Sequence, residues 1–281
     1  MPELPEVESI RRTLAPLLVG QTVARVRLRR SDYVHGPARP RDLLASRTIV
    51  DLDRRGKQLA LYASPAGCVC VHLGMSGSLC HVSASAIPAG RLGPVDRHTH
   101  VVWRLSDGSA LLLRDPRRFG GIWTFADKQE LGLHRWDALG PDGLTITSSQ
   151  LHEQLDRTRR TVKAVLLDQN IIAGIGNIYA DELLFAARVH PMTIARTLSV
   201  RDVSRITRAI RTVLSRAIAA GGSTLRDYRN GDGKPGRFQF RHRVYGRGGQ
   251  PCMRCKQPLE KLLLTGRATV FCGQCQRING R

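Results

Sequence analysis

Near the end of the chain, Cys252, Cys255, Cys272 and Cys275 follow the spacing C-x2-C-x16-C-x2-C. Each C-x2-C pair makes a knuckle that can aim two thiolates at one ion, and two knuckles complete a tetrahedral site. Zinc is the expected occupant, with an iron–sulfur centre the main competitor. Four thiolates leave no open coordination position, so one structural zinc is expected to fold this finger and do no chemistry. Between the knuckles, Lys261–Val270 reads as a hairpin carrying Lys261 and Arg267, basic side chains suited to phosphate. At the other end stands Met1-Pro2-Glu3-Leu4-Pro5-Glu6. If Met1 is removed, Pro2 offers a secondary α-amine titrating near ~8, against ~10.4 for lysine, so about a tenth is unprotonated at neutral pH. Such an amine attacking a sugar C1′ forms a charged iminium, an electron sink that needs no proton. With Met1 attached, the same nitrogen is a tertiary amide without a nucleophilic lone pair.

Charge bounds the partner. Lys+Arg 44 against Asp+Glu 23 gives +21. Such a surplus attracts polyanions, and on DNA each neutralised phosphate releases condensed counterions. Arginine carries almost all of the charge, a bias that explains arginine over lysine but not the excess over acid. There is no basic amphipathic helix with a clean apolar face, and no apolar run of about 18 residues. The acidic, proline-broken start is unlike a signal peptide, so a cytoplasmic protein is expected. The cysteine count of 7 is odd, which argues against a secreted disulfide framework. Cys68, Cys70 and Cys80 lie in or beside apolar sequence and read as small buried hydrophobes.

The elements that must position these residues are legible in outline. Val7, Ile10, Leu14, Leu17 and Leu18 have helical spacing, Pro5 suits the first turn, and Gly20 suits the end. Val23–Leu28, Gln58–Tyr62 and Val69–Leu73 read as strands, and Thr99–Leu105 and Ala110–Arg114 flank the turn signal Asp107-Gly108. From about residue 149 the period becomes helical: Leu151–Asp156, Val162–Asp168, Tyr179–Ala187 and Val203–Ala220. A polar, glycine-rich stretch, 221–250, is long enough to expect mobility or function.

Eight motifs then fall in one order: PELPEVE at 2–8, RRGK at 54–57, HLGMSG at 72–77, DPRRFG at 115–120, GIGNIYADE at 174–182, DGKPG at 232–236, VYGR at 244–247, and the cysteine finger. Together they closely resemble the formamidopyrimidine-DNA glycosylase family, bacterial enzymes that excise oxidised purines such as 8-oxoguanine. The resemblance spans essentially the whole chain, and Leu4 is similar to the purine-directed branch, since the pyrimidine-directed sister group usually begins PEGPE. It implies Pro2 as the nucleophile that displaces the base and forms a Schiff base, and Glu3 as the acid for the sugar ring oxygen. Glu6 would order the site, Lys57 would serve β-elimination and phosphate contact, and Arg267 would grip phosphate and serve δ-elimination. Asn177 matches a phosphate ligand at a helix start, His72 and His98 match further backbone contacts, and Arg159 and Lys163 are weaker candidates of the same kind.

Extracting a base leaves a hole in the stack, costing a few kcal/mol unless something fills it. By the resemblance Met75, Arg117 and Phe119 fill it: a flexible thioether, a hydrogen-bonding guanidinium and a flat ring. The loop 223–240 corresponds to the damaged-base lid, with Ser223, Thr224 and Tyr228 as candidate contacts. Lys163-Ala164-Val165 departs from the family's usual Lys-Pro-Trp, which implies a repacked helix.

The expected architecture is α+β and multidomain. Residues 1–135 form an N-terminal catalytic β-sandwich with an N-terminal helix, and 136–148 a linker. Residues 149–240 form a helix–two-turn–helix DNA-binding domain with the lesion loop, and 241–281 the four-cysteine zinc finger. The expected function is base-excision DNA repair: removal of oxidised purines from double-stranded DNA, then strand cleavage by β,δ-elimination. Such an enzyme would be a monomer beside the bacterial nucleoid, with structural zinc as its cofactor. The rivals are an oxidised-pyrimidine glycosylase and a catalytically idle damaged-DNA-binding protein. The second would keep the finger but lose Pro2, Glu3 or Lys57, and all three are present.

Overall fold

The computed structural model describes residues 2–87 and 95–278, in two compact units. One holds Met1–Ala138 with Ala220–Arg237, the other Leu139–Ala219 with Phe238–Arg281. The stretch 220–237, grouped by sequence with the helical domain, thus packs with the first unit, while Phe238 and Phe240 belong to the second.

The first unit opens with helix α1, Leu4–Leu18. Pro5 fixes the backbone in its first turn, where a missing N–H costs nothing. Val7, Ile10, Leu14 and Leu18 make one buried stripe, but Leu17, at the stripe's edge in the last turn, is exposed. Gly20 turns the chain away at φ +88.

Strands β1 (Val23–Leu28), β7 (Thr99–Leu105), β8 (Ala110–Arg114) and β6 (Ser78–Val82) form one sheet in that order. The second runs β2 (Val34–His35), β9 (Gly121–Phe125), β5 (Cys68–His72), β4 (Gln58–Ser64) and β3 (Thr48–Arg55). The two sheets and α1 share one core, including Leu59, Leu61, Val69 and Val71 from one sheet and Val101, Trp103, Leu111 and Leu113 from the other. That shared core defines a β-sandwich. Cys68 and Cys70 are buried as expected, but on the face of β5 opposite that core, where Cys70 Sγ donates to Gln58 Oε1 at 3.4 Å, and Cys80 is half-buried. A short helix α2, Lys128–Leu131, continues into a π-turn, Gly132–Trp136, that closes the sheet region.

The second unit is helical. Its helices are α3 (Ser148–Asp156), α4 (Val162–Leu167), α5 (Asn177–Ala187) and α6 (Val200–Ala219). Helix α5 is central: Ile178 to Phe185 are all buried. Helix α6 buries Val203, Ile206, Ile210 and Leu214 and turns its arginines outward, so, against the sequence expectation, the chain does hold a basic amphipathic helix, its apolar face covered inside the unit. The chain ends in the hairpin β10 (Glu260–Leu264) and β11 (Arg267–Phe271), inside the cysteine finger. No helix among the described residues is long and apolar enough to cross a membrane.

Candidate active site and nucleic-acid interface

In the first unit the N-terminal residues are held rather than frayed. Pro2 and Glu3 are buried, while Met1 lies outside the described residues. Glu6 is buried and works as a clasp: Oε2 accepts the Glu3 N–H at 2.9 Å and Oε1 accepts the Ser223 N–H at 2.7 Å. A Cβ on Gly222 would meet Glu6 Oε1 at 2.8 Å, and Gly222 has φ +83, so only glycine fits there. The Tyr228 hydroxyl lies 3.1 Å from the carbonyls of Glu6 and Gly221, and the ring is in the sandwich core. Tyr228, a candidate lesion contact by sequence, is thus a buried strut between helix and loop. Thr224 closes the loop on itself, donating to the Tyr228 carbonyl and accepting from Gly236 N–H.

A second clasp ties α1 to Lys57. Glu8 accepts from Arg54 Nε at 3.1 Å and from Arg11 and Arg12. Burial alone would raise its pKa, but these guanidinium partners bring it down to about 2, so Glu8 is ionised. Arg54 also donates to the Gly56 carbonyl, and Gly56 at φ +56 makes the turn that ends at buried Lys57. Gln58 pairs across the sheet with His72, which sets Lys57 beside the end of β5. His72 Nδ1 accepts the Gly74 N–H at 3.2 Å, leaving Nε2 to carry the proton. Burial, then the charges of Arg135 and Lys57, lower its pKa to about 4.

Asp115 organises the third group. It is fully buried; Oδ1 accepts from Ser76 Oγ at 2.7 Å and Arg117 N at 3.3 Å, and Oδ2 from Tyr33 OH at 3.0 Å and Gly120 N at 2.9 Å. One carboxylate thereby holds together the Met75 turn and the Arg117–Phe119 turn. A Cβ on Gly74 would strike the Phe119 backbone at 2.3 Å, so the two turns touch main chain to main chain. Their tips face water: Met75 is 45% and Phe119 55% exposed, with Arg117 stacked on the Phe119 ring at 4.4 Å. Large apolar side chains left in solvent beside an arginine are poor core and suit a wedge. His98 adjoins the same group, its carbonyl accepting the Asp115 N–H at 3.0 Å.

In the second unit Asn177 opens α5, and its Nδ2 donates to the Ala268 carbonyl at 2.9 Å. That bond brings Asn177 and Arg267 together, because Ala268 follows Arg267 on β11. Arg267 is exposed at the tip, just past the Thr265-Gly266 turn, both residues having positive φ. Gln169 knits the turn before α5, accepting from Gly174 N and donating to the Leu167 and Ile175 carbonyls. Lys163 corrects the sequence expectation. It is fully buried, its ammonium 2.5 Å from Asp181 and 2.7 Å from Thr269 Oγ1, and so cannot be a surface phosphate contact. Asp181 Oδ2 also accepts the Val270 N–H at 3.0 Å, so this pair fastens α4 and α5 to the Arg267 hairpin. Arg159 is exposed on the loop before α4.

The four cysteine sulfurs lie within 4.8 Å of one another, with Cys252–Cys275 at 4.0 Å and Cys255–Cys272 at 3.4 Å. A tetrahedral ion with Zn–S bonds of about 2.3 Å would set sulfurs about 3.8 Å apart, so the arrangement fits zinc. Cys252 and Cys272 pack with Phe185, Val244, Leu259 and Val270 in a small core of their own. The zinc therefore supports the hairpin that carries Arg267.

Several residues that build the site carried no assigned role in the sequence reading: Glu8, Arg54, Asp115 and Asp181. Each stands inside a recognised motif, and that was the available signal. A metal-pinned basic hairpin at a helix N-terminus and an exposed Met–Arg–Phe tip define a zinc-dependent nucleic-acid-binding protein; the buried proline and glutamates at the N-terminal helix and the buried lysine of the β3–β4 turn add an enzyme's inventory.

Comparison makes the class specific. Residues 1–122 match the family model of the formamidopyrimidine-DNA glycosylase N-terminal domain. Residues 139–229 match that of its H2TH domain, and residues 249–278 that of the zinc finger found in FPG and IleRS. The formamidopyrimidine-DNA glycosylase of Bacillus licheniformis is 41% identical over 284 residues, covering 99% of this chain and 100% of that one. The Thermus thermophilus MutM (Fpg) structure matches with TM-score 0.86 and 40% identity, over 99% of this chain and 100% of that one. Two Lactococcus lactis Fpg structures, each 31% identical over 98% of this chain, match as well. One is in complex with N7-benzyl-Fapy-dG DNA (TM-score 0.87, 100% of that chain), the other with abasic-site DNA (TM-score 0.88, 99%). The chain belongs to the formamidopyrimidine-DNA glycosylase family: a DNA glycosylase of base-excision repair with the family's lyase activity and one structural zinc.

Proposed function

We propose that the enzyme removes oxidised purines, 8-oxoguanine and formamidopyrimidines, from double-stranded DNA through a Schiff base on Pro2. The observation that carries this reading is the burial of Pro2 and Glu3 at a helix start pinned by Glu6 and Glu8. A proline and a carboxylic acid buried side by side, with the backbone of the acid clasped by Glu6, support a preorganised nucleophile and acid once Met1 is removed. With Met1 removed, the Pro2 nitrogen attacks C1′, the glycosidic bond breaks, and the base departs with a proton. Glu3 protonates the ring oxygen as the sugar opens to the iminium. Lys57 serves loss of the C2′ proton and β-elimination of the 3′ phosphate. Arg267 grips the phosphate lost in δ-elimination, with Asn177 beside it at the positive end of α5. Met75, Arg117 and Phe119 fill the emptied stack, His72 and His98 hold the backbone, and exposed Arg159 adds a phosphate contact. The enzyme works as a monomer in the bacterial cytoplasm, on nucleoid DNA.

Borohydride trapping on an 8-oxoguanine duplex tests this. Wild-type protein, shown by intact mass to lack Met1, should form a covalent adduct, and Pro2→Gly should form little. Absence of wild-type trapping sinks the mechanism, and faster trapping on a thymine-glycol duplex would move the protein to the pyrimidine-directed reading.

A further inference from the structure

The second unit carries a groove of about 500 Å3 that no role above uses. Its floor is apolar, built from Ala186 at the end of α5, Val213 of α6 and buried Phe238. Phe240 and Met253 also line it, and they stand 80% and 48% exposed. Arg216, Arg241, Arg243 and Arg254 complete the wall. The one acid in the lining, Glu182, is turned inward: it is buried and accepts the backbone N–H groups of Arg243, Val244 and Tyr245 at 2.9–3.0 Å. Arg254 is pre-set, donating to the Phe185 carbonyl at 2.8 Å and lying 4.3 Å over its ring. The groove is therefore cationic around an apolar centre, which suits an anionic ligand with an apolar anchor.

Duplex DNA is a poor occupant. Ala186 sits nine residues along α5 from Asn177, about 13 Å along the axis from the end assigned to phosphate. Met253 lies in the first cysteine knuckle, whereas Arg267 tips the hairpin. A groove of this size holds a few side chains rather than a stiff rod. Beyond Phe240, the accessible apolar lining is aliphatic and thioether, which adapts to varied side chains, rather than a run of stacking rings. We propose that this groove docks a short acidic segment of a partner protein. Its carboxylates would pair with the arginines, and one large apolar side chain would seat against Phe240 and Met253.

The test is fluorescence anisotropy with the labelled peptide Asp-Glu-Asp-Glu-Leu-Phe on full-length, zinc-loaded protein saturated with an abasic-analogue duplex. Binding should persist with the duplex in place and weaken about fivefold or more in Met253→Ser and in Arg216→Ser. Zinc content and duplex affinity report whether each variant is folded. A peptide with Gly-Ser for Leu-Phe should bind at least about tenfold more weakly. Failure of the parent peptide to bind would overturn the proposal. So would equal binding of the Gly-Ser peptide, which would mean charge alone, or displacement by duplex, which would assign the groove to nucleic acid. Unchanged binding in both folded variants would overturn it as well.

Discussion

Asp115→Asn perturbs the Met75–Arg117–Phe119 tips without touching any of them. The substitution keeps shape but turns one carboxylate oxygen into NH2. Oδ1 faces Arg117 N–H at 3.3 Å and Oδ2 faces Gly120 N–H at 2.9 Å, so either amide orientation sets a donor against a backbone donor. The other two partners, the Ser76 and Tyr33 hydroxyls, can rotate to accept. The expected loss is one charge-assisted bond, about 1.5–3 kcal/mol, plus weakening of those that remain. For a domain of this size each kcal/mol moves the midpoint by about 2–4 °C, so the sandwich should melt roughly 4–10 °C earlier. With the two turns no longer in register, single-turnover excision should slow about tenfold or more. Duplex affinity, which rests on phosphate contacts, should fall much less. Differential scanning calorimetry and single-turnover excision on a lesion duplex measure both. A midpoint within about 1 °C of wild type together with an unchanged excision rate would refute the role given to Asp115.

Lys163→Met leaves the Asp181 carboxylate buried without its ammonium. Burial already holds Asp181 up at about 6 even with Lys163 beside it, so the variant should lose about 3–5 kcal/mol. Hydrogen exchange should rise across β11, and a melting curve like wild type would show that the pair is dispensable. Cys272→Ser, or zinc removal by chelation, should unfold the finger, abolish abasic-strand cleavage and leave α1 and the sandwich folded by circular dichroism. Normal cleavage by that variant would make the finger unnecessary. His72 should stay neutral through the physiological range. Its folded pKa, about 4, lies below the ordinary value of 6.5, so its contribution to stability is full above pH 6.5 and is lost progressively as pH falls toward 4. Nitrogen NMR of the imidazole should show no midpoint between about pH 5 and 7.5, and a midpoint near ~6.5 would contradict the assignment.

Local rules made much of the scaffold legible. Strands β1, β7 and β8 fall where alternation and the Asp107-Gly108 turn put them, and α1 and the β10–β11 hairpin follow from proline, stripe and knuckle spacing. Strands β3, β6 and β9 were not visible, because their sequences lack clean alternation and they exist as strands through pairing with β4, β8 and β5. The four-cysteine site was determined by sequence alone, since a knuckle is a local object and its spacing carries its geometry.

The residues proposed to react were legible for a similar reason: Pro2, Glu3, Lys57 and Arg267 stand out by type and motif. What only the tertiary structure decided is how they are held. Glu8 reaches Arg54, Asp115 gathers Tyr33 and Ser76, Asp181 joins Lys163 to Val270, and Glu182 receives residues 243–245. Each is a buried carboxylate whose partners lie far along the chain, and burial of a charge is tolerable only when those partners arrive. Sequence could therefore name Lys163 as one more basic residue. Only the fold could show that its charge is spent inside, holding the hairpin that presents Arg267.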